Sequence, residues 1–271
     1  MPRTLTLFMF ERKNFFPLVK KGELEKRLKV KAKERSLREL AEEAERIGDK
    51  KTQRGVARLF RRVKDARLNY EGRMPKGFKL KFSCVKLVKT RVGSKTVVYE
   101  WPVEVKCWLR VNSALLAVLD TPDYTLARYL SMLVSLVVMG DYKLVSPFRF
   151  KGEDVESIEN WLTGYTSKKP GKLVSVVLTG VDIGEERFDR VLLKHPLLAR
   201  TVTYSELRGK SRGVTCLTGV TPVGKELRRP LSFMLNASIG KITIYTPKVT
   251  DGEVEGFLSA IESVLGIEVP I

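Results

Sequence analysis

An alternation of apolar and polar side chains over residues 78–111 restricts the fold more than any other feature of the sequence. Phe78, Leu80 and Phe82 alternate with lysines, and the same period of two resumes after Gly93 and runs to the end of the stretch. Successive side chains of a strand point to opposite faces of its sheet, so this period indicates two strands that each have one apolar face. The sequence therefore predicts a long β-hairpin with an apolar face and a basic face.

Two helices are predicted before the hairpin. Ser36 and Glu39 form a capping-box pattern ahead of apolar residues at helical spacing, and Gly48 ends that helix. Asp49 caps the next helix, in which apolar residues and arginines occupy different sides. The pair fits a helix-turn-helix, whose second helix would enter the major groove of DNA. The alternative is a basic helical hairpin that contacts phosphates or packs along the sheet.

The other elements follow from the same patterns and from turn residues. Strands are predicted at residues 4–10, 114–119, 143–150, 173–178, 201–207, 214–217, 231–237 and 242–245. Helices are predicted from Thr121 and Pro122 to Met139, and at residues 155–162, 185–193 and 253–265. Pro102 lacks an amide donor, which predicts an edge or a bulge for its strand.

This order of elements predicts an α+β fold. A short basic N-terminal helical segment is followed by two curved antiparallel sheet units with helices packed on one face, and a degenerate duplication of one unit is an open alternative. The predicted limits are 1–75 for the basic helical segment, 76–165 for the sheet domain and 172–271 for the second antiparallel α/β unit. Residues 166–171, with two lysines and a proline, mark the boundary.

Positive charge is concentrated in residues 50–91. That stretch holds fifteen Lys and Arg against two acids, a net of +13 out of the chain's +19. Charge at that density repels itself, and a solvated heat-resistant surface would not explain the missing acids. We therefore predict nucleic-acid binding, favouring duplex DNA through backbone phosphates. The predicted contacts are Lys50, Lys51, Arg54, Arg58, Arg61, Arg62, Lys64, Arg67, Arg73, Lys76, Lys79, Lys81, Lys89 and Arg91.

Three other partners or activities remain open. Structured RNA presents phosphates as densely as DNA, so an RNA-binding or ribosome-associated factor is the first alternative. A metal-dependent nuclease is the second, because Glu104 and Lys106 share a strand face and Asp120 or Glu100 could supply a second carboxylate. Anionic lipid at a membrane surface also attracts Lys and Arg. Base stacking on single strands is disfavoured, because no aromatic pair interleaves with the hairpin lysines.

Other motifs indicate no catalysis, metal or cofactor. Residues 219–226 have P-loop spacing, but Glu226 replaces the magnesium ligand and a strand rather than a helix follows, which predicts a hairpin loop. His195 is the only histidine and is predicted to be a capping or surface residue. Four acids could attract a divalent cation, but acids in a helix's first turn usually just favour its dipole. They are Asp182, Glu185, Glu186 and Asp189.

The cysteines and apolar runs bear on the compartment. Cys84, Cys107 and Cys216 form an odd set without a C-x-x-C pair, which predicts buried free thiols in a reducing environment. The apolar run at residues 129–139 is too short to cross a bilayer, and no signal-peptide pattern is recognised at the N-terminus. We expect a soluble intracellular protein of the cytoplasm, nucleoid or nucleus.

Several features follow one another between residues 97 and 165. They are Trp108-Leu109-Arg110-Val111, the strand ending at Leu119, Thr121-Pro122-Asp123-Tyr124, the apolar helix to Met139, and a short strand before the helix around Ile158 to Leu162. In this order they resemble the middle of centromere protein N, an inner-kinetochore protein. The resemblance implies a sheet-based domain after a helical N-terminal domain, nucleosomal DNA contacts through basic residues, and a C-terminal domain that pairs with a related partner.

Overall fold

The computed structural model describes residues 2–31, 35–121, 123–164 and 170–270, apart from the side chains at 35, 65 and 66. Within these residues lie eight α-helices and twelve strands, and the strand pairs whose register is given below are antiparallel. The predicted α+β class is confirmed. The chain divides into an N-terminal unit, mainly Thr6–Pro147, and a C-terminal unit, Phe148–Val269 with the first residues as far as Leu5.

The N-terminal unit combines long strands with five helices. Its strands are β1 (Arg3–Phe10, from Thr6 onward in this unit), β2 (Arg35–Ser36), β3 (Val63–Met74), β4 (Gly77–Val92), β5 (Lys95–Arg110), β6 (Leu115–Leu119) and β7 (Val145–Pro147). Its helices are α1 (Arg12–Lys20), α2 (Glu23–Lys31), α3 (Leu37–Arg46), α4 (Lys50–Phe60) and α5 (Tyr124–Met139). The strand order is β2-β3-β4-β5-β6-β1, and β7 pairs with β1.

The predicted hairpin is confirmed as β4 and β5. The two strands pair along their whole length, with Leu80 opposite Cys107 and Phe82 opposite Val105. These four side chains have no exposed surface, so their face of the hairpin belongs to the core. The edge or bulge predicted at Pro102 is wrong for β5 as a whole, which lies between β4 and β6. However, β6 pairs only with the last five residues of β5, so on that side Pro102 has no neighbouring strand within the described part of the chain.

Both helices predicted before the hairpin are confirmed. Ser36 and Glu39 form the capping box of α3, and Gly48 turns the chain with a left-handed φ of 72°. Asp49 then caps α4 by accepting a hydrogen bond from the amide of Thr52 at 3.0 Å. The sequence did not predict α1, α2 or β3. Action of α3 and α4 as a DNA-binding helix-turn-helix stays a prediction.

Helix α5 provides much of the apolar core of this unit. Leu130, Leu133 and Val134 have no exposed surface, and ten of the sixteen residues of the helix are buried. Its apolar side packs in the core, as the apolar periodicity predicted. Among the residues described, no helix combines the length and the apolarity that crossing a bilayer requires.

The start of α5 differs from the prediction, whereas its end does not. Asp123, rather than Thr121, caps the helix, because its Oδ1 accepts hydrogen bonds from two amides of the first turn at 2.9 and 3.1 Å. Thr121 instead accepts from the amide of Asp123 at 3.3 Å, and Pro122 lies outside the described residues. Gly140 ends the helix in the left-handed conformation, as predicted.

The C-terminal unit combines antiparallel strands with three helices. Its strands are β8 (Lys172–Ile183), β9 (Glu186–Lys194), β10 (Gly213–Val220), β11 (Ser232–Asn236) and β12 (Lys241–Ile244). Its helices are α6 (Gly152–Thr163), α7 (Val202–Gly209) and α8 (Asp251–Val264). The strand order is β12-β11-β10-β8-β9. A duplication relating the two units stays a prediction.

Two predictions for the C-terminal unit are wrong. Residues 185–193, predicted as a helix, form β9, because the turn at Gly184 (φ 63°) returns the chain along β8 and the strand pairing outweighs the local pattern. Residues 201–207, predicted as a strand, form α7. Thr201 accepts a hydrogen bond from the amide of Tyr204 at 3.2 Å and so caps a helix in a segment rich in strand formers.

The chain passes between the compact units after Pro147. The strand predicted at residues 143–150 is correspondingly short, because a 3₁₀ helix at Tyr142–Leu144 precedes the three residues of β7. The sequence placed limits at residue 75 and within 166–171, and residues 166–169 lie outside the described part. Helix α6, which the sequence grouped with the first sheet, is grouped by compactness with the second.

The two faces of β4 give a stability prediction. Leu80→Asp should destabilise the protein by about 3–5 kcal/mol, because it buries an unpaired charge in the core. Lys79→Glu, one residue away on the other face, should cost less than about 1 kcal/mol. Urea denaturation of both variants checks this, and equal losses of stability would mean that the faces are misassigned.

Candidate nucleic-acid interface

One face of α4 carries a continuous set of cations. At 3.6 residues per turn, the five side chains of this set fall within an arc of about 100° around the helix axis. All are exposed, and none forms an ion pair with any residue that the structure describes. We name this surface the α4 cation face. It consists of Lys50, Lys51, Arg54, Arg58 and Arg61.

The opposite side of α4 packs into the core and fixes the helix in place. Thr52, Val56 and Leu59 are buried there. A Cβ at Gly55 would lie 1.6 Å from the hydroxyl oxygen of Tyr129 on α5, so only glycine permits this approach. Because the apolar side is held so closely against α5, the cation face must point away from the core.

The N-terminus of α4 is held by Asp49. Besides capping the helix, Asp49 accepts a hydrogen bond at its Oδ2 from the hydroxyl of Tyr142 at 2.8 Å. Hydrogen bonds from Thr52, and then from Tyr142, lower the pKa of Asp49 from 3.8 to about 2. Tyr142 is almost completely buried, and its burial together with the charge of Asp49 raises its own pKa. The first turn of the cation face is therefore tied to the core by one carboxylate.

The cations predicted on β3 and β4 are partly neutralised. Register places Lys64, Lys79 and Lys81 on the outer face of the sheet. Lys64 pairs with Glu100, and Lys81 pairs with Glu104. Exposed pairs of this kind contribute little to stability, but they reduce the net charge of the face. Of these three lysines, only Lys79 has no ion pair with a described residue.

Four more of the predicted contacts are already engaged within the chain. Arg73 pairs with Glu25, and Arg73 followed by Lys29 lowers the pKa of Glu25 to about 2. Arg62 Nη1 lies 3.7 Å from Asp123 Oδ2. Arg67 and Lys76 also make contacts within the protein. The +13 of residues 50–91 therefore overstates the charge available to a partner.

Beyond the sheet, β4 and β5 continue as a two-stranded ribbon. Among the residues that the structure describes, β3 and the short β6 flank these two strands, and neither of them pairs with residues 87–102. We name these residues the hairpin arm. Apart from Leu87, all of them are exposed, including Lys89 and Arg91, which form no ion pair with described residues. The arm thus carries two of the predicted contacts away from the core.

The arm also presents aromatic side chains that the sequence interpretation missed. Trp101 is 66% exposed and Tyr99 is 52% exposed. Both lie on the face that becomes core nearer Leu80, and alternation alone assigned them there. The neighbouring strand β6 has only five apolar residues, far fewer than either hairpin strand. It is therefore too short to cover the whole hairpin, and this difference in length is the sequence signal that could have placed both aromatic side chains at the surface.

A groove of about 570 Å³ lies at the root of the arm. Arg62, Lys86 and Lys89 supply its cations, and Asp120 and Asp123 its acids. The remaining lining is mainly apolar. It consists of Val63, Cys84, Leu87, Val88, Trp101, Val103, Thr121 and Leu126. A volume of this size is in the range that small ligands occupy in proteins.

The residues considered for catalysis are arranged differently from a metal site. Glu104 and Lys106 share the outer face as predicted, but the Glu104 carboxylate contacts Lys81 and Glu100 contacts Lys64. Asp182 lies 4.0 Å from Arg187 within the hairpin of β8 and β9, not in a helical turn. In the part of the chain that is described, no three His, Cys, Asp or Glu side chains converge as metal ligands would.

The other motifs behave as the sequence predicted. Residues 219–226 lead from β10 into a loop, closed by the amide of Gly224 donating to the carbonyl of Leu227 at 2.9 Å. His195 is exposed, and its Nδ1 accepts from the amide of Leu197 at 3.1 Å. The three cysteines are free thiols, although Cys216 is only partly buried. Burial raises the pKa of Cys84 to about 11 and that of Cys107 to about 12.

Comparison with known proteins found no matching family model and no matching curated protein. The resemblance to centromere protein N therefore stays a prediction. Function is inferred from the charges and geometry of the α4 cation face, the hairpin arm and the groove beside it.

The contact between Tyr142 and Asp49 gives a pH prediction. Tyr142→Phe removes one donor to the carboxylate and should cost about 1–2 kcal/mol at neutral pH. A carboxylate with a lowered pKa stabilises the fold above its unfolded pKa, and that contribution disappears as pH falls through the folded pKa. The difference between wild type and variant should therefore shrink between pH 3.8 and about 2.

Chemical denaturation across that range measures the difference. Tyr124→Phe is the matched control, because the Tyr124 hydroxyl makes no hydrogen bond with a described residue. A destabilisation by Tyr142→Phe that stays constant with pH would show that the carboxylate is not involved.

Proposed function

We propose that this chain binds nucleic acid, most favourably duplex DNA in a chromatin or centromere-like setting, through backbone phosphates. The observation that supports this most directly is the α4 cation face, five exposed cations without ion pairs to described residues on a helix anchored to the core. Lys and Arg offer only donors and a positive charge, which suits phosphate oxygens. Such contacts position a protein on DNA without reading its sequence.

The dimensions of the cation face fit a polyphosphate. From Lys51 to Arg61 the helix rises about 15 Å, over which one strand of B-DNA advances by about four phosphates. Lys89 and Arg91 on the hairpin arm add cations within the same unit. Structured RNA also presents phosphates at this density, and it is the competitor against which DNA binding must be measured.

The α4 cation face gives a prediction for binding. Replacing Lys51, Arg54, Arg58 and Arg61 with Ala should weaken binding to unrelated duplexes about equally. The plot of log affinity against log salt should flatten by about 0.9 for each phosphate that the variant no longer neutralises. Titration by fluorescence anisotropy at several salt concentrations, with duplex DNA and a structured RNA in parallel, measures both quantities.

A matched variant controls for net charge. Arg149, Lys210, Lys225 and Arg228 are exposed cations of the C-terminal unit, and replacing them with Ala removes the same charge. This control should weaken binding much less than the α4 variant does. Equal reductions in affinity would mean that binding depends on overall charge and not on the α4 cation face. Tighter binding to RNA than to DNA would favour the RNA alternative.

The C-terminal unit has a surface suited to protein pairing, the second part of the proposal. Strand β9 is the last strand of its sheet among the residues described. All nine of its residues are exposed or half-exposed, with Phe188 at 40% and Leu192 at 66%. A long strand with an open edge and exposed apolar side chains is a template for another strand. We assign this edge to a second copy of the chain.

The charges along β9 support self-pairing. If two copies of β9 run antiparallel with Phe188 opposite its counterpart, then Glu186 lies opposite Arg190, and Arg187 lies opposite Asp189. Each pair occurs twice about the twofold axis, so four pairs of opposite charge flank an aromatic contact. A register with this pattern favours an isologous dimer.

Charge reversal tests this register. Arg187→Asp alone and Asp189→Arg alone each place like charges opposite one another, so each variant should be largely monomeric. Mixed in equal amounts, the two variants restore opposite charges and should dimerise. Sedimentation velocity measures all three samples, and a monomeric wild type, or a mixture that stays monomeric, would exclude the pairing.

A further inference from the structure

The exposure of Trp101 distinguishes it from the other tryptophan of β5. Trp108 is 2% exposed, whereas Trp101, seven residues earlier, is 66% exposed. Burying an indole removes a large apolar area from water, so leaving one exposed forgoes much of its stabilising contribution. Tyr99 and Val88, which lie opposite each other on the same face, are also exposed. This face of the arm is an apolar surface without a cover among the described residues.

Cations surround this apolar surface. Lys86 lies directly opposite Trp101 in the register of the hairpin, and both residues line the groove. Arg62 lines it as well, and so does Lys89, although the register places Lys89 opposite Val98 on the other face of the arm. An aromatic plane beside Lys and Arg is the combination with which proteins bind unpaired nucleotides, because bases stack on the ring and phosphates meet the cations.

The acids of the groove do not reverse its charge. Asp123 is occupied, since its Oδ1 caps α5 and its Oδ2 faces Arg62. Counting Asp123 and Asp120 as fully charged still leaves three cations against two acids. The apolar lining beyond the arm, to which Leu126 of α5 belongs, would contact the second face of a planar ring.

We propose that this groove holds an unpaired base of a single-stranded segment, stacked on Trp101, with an adjoining phosphate on Lys86. This rests on the proposed function and deepens it, because it names single-stranded ends or gaps next to a duplex as the preferred substrate. The α4 cation face contacts the duplex backbone, and Trp101 contacts the strand that leaves it. Stacking discriminates little between bases, so no sequence preference is expected.

The experiment compares a blunt duplex with the same duplex carrying a short oligothymidine overhang. For the wild-type chain the overhang should raise affinity about tenfold, since stacking a base on an aromatic ring adds a favourable contact that the blunt duplex lacks. Trp101→Ala should abolish this gain while changing the affinity for the blunt duplex less than about twofold, an expected change of about 0.4 kcal/mol at most. Trp101→Phe should keep most of the gain because it keeps an aromatic plane.

A control and a second readout make the result specific. Val98 is 48% exposed and points to the other face of the arm, so Val98→Ala should leave the gain unchanged. Oligothymidine should quench the tryptophan fluorescence of the wild type, and this quenching should largely disappear in Trp101→Ala. Circular dichroism confirms that each variant is folded, as the exposure of both positions leads us to expect.

The outcomes separate the two proposals. Binding of the blunt duplex without any gain from the overhang, or an equal gain in Trp101→Ala, overturns the stacking site and leaves duplex binding intact. Binding of oligothymidine alone, abolished by Trp101→Ala, supports the stacking site and overturns the preference for duplex. Failure to bind any of these DNAs overturns both.

Discussion

The carboxylate of Asp49 determines where the α4 cation face lies. One of its oxygens caps the helix, and the other accepts a hydrogen bond from the hydroxyl of buried Tyr142. Lys50 and Lys51 follow at once, although positive charge at a helix N-terminus opposes the helix dipole. No acid other than the cap offsets them in that first turn. A local arrangement that costs helix stability is expected where a surface serves a function rather than the fold.

Charge along the sequence and charge in space differ in this protein. Acids that lie outside residues 50–91, Glu25, Glu100 and Asp123, neutralise arginines and lysines inside that stretch. Such pairs form only when strands and helices come together, so a count along the chain cannot register them. What remains unpaired among the described residues is concentrated on one helix and on the hairpin arm, a narrower and more directional surface than the sequence indicated.

Local patterns were sufficient for part of the fold. The β4–β5 hairpin, the capping box at Ser36 and the cap at Asp49 were predictable because each depends on residues close in sequence or on strict alternation. Strand β3 was not predicted because its pairing with β4 shifts register twice, which interrupts the alternation of apolar and polar side chains along the strand. Trp101 was misplaced for another reason. Alternation says which face a side chain occupies, but only the lengths of the neighbouring elements decide whether that face is covered.

The hairpin arm has a consequence for how such proteins can vary. Since residues 87–102 are exposed almost throughout, the arm can lengthen or shorten without disturbing the core beneath it. Each side chain of the arm keeps its face only if two residues are inserted together in each strand. A single added residue would move the aromatic side chains to the other face. Each such step changes the reach of the arm by about 7 Å. Relatives of this chain should therefore differ in arm length by even numbers of residues per strand.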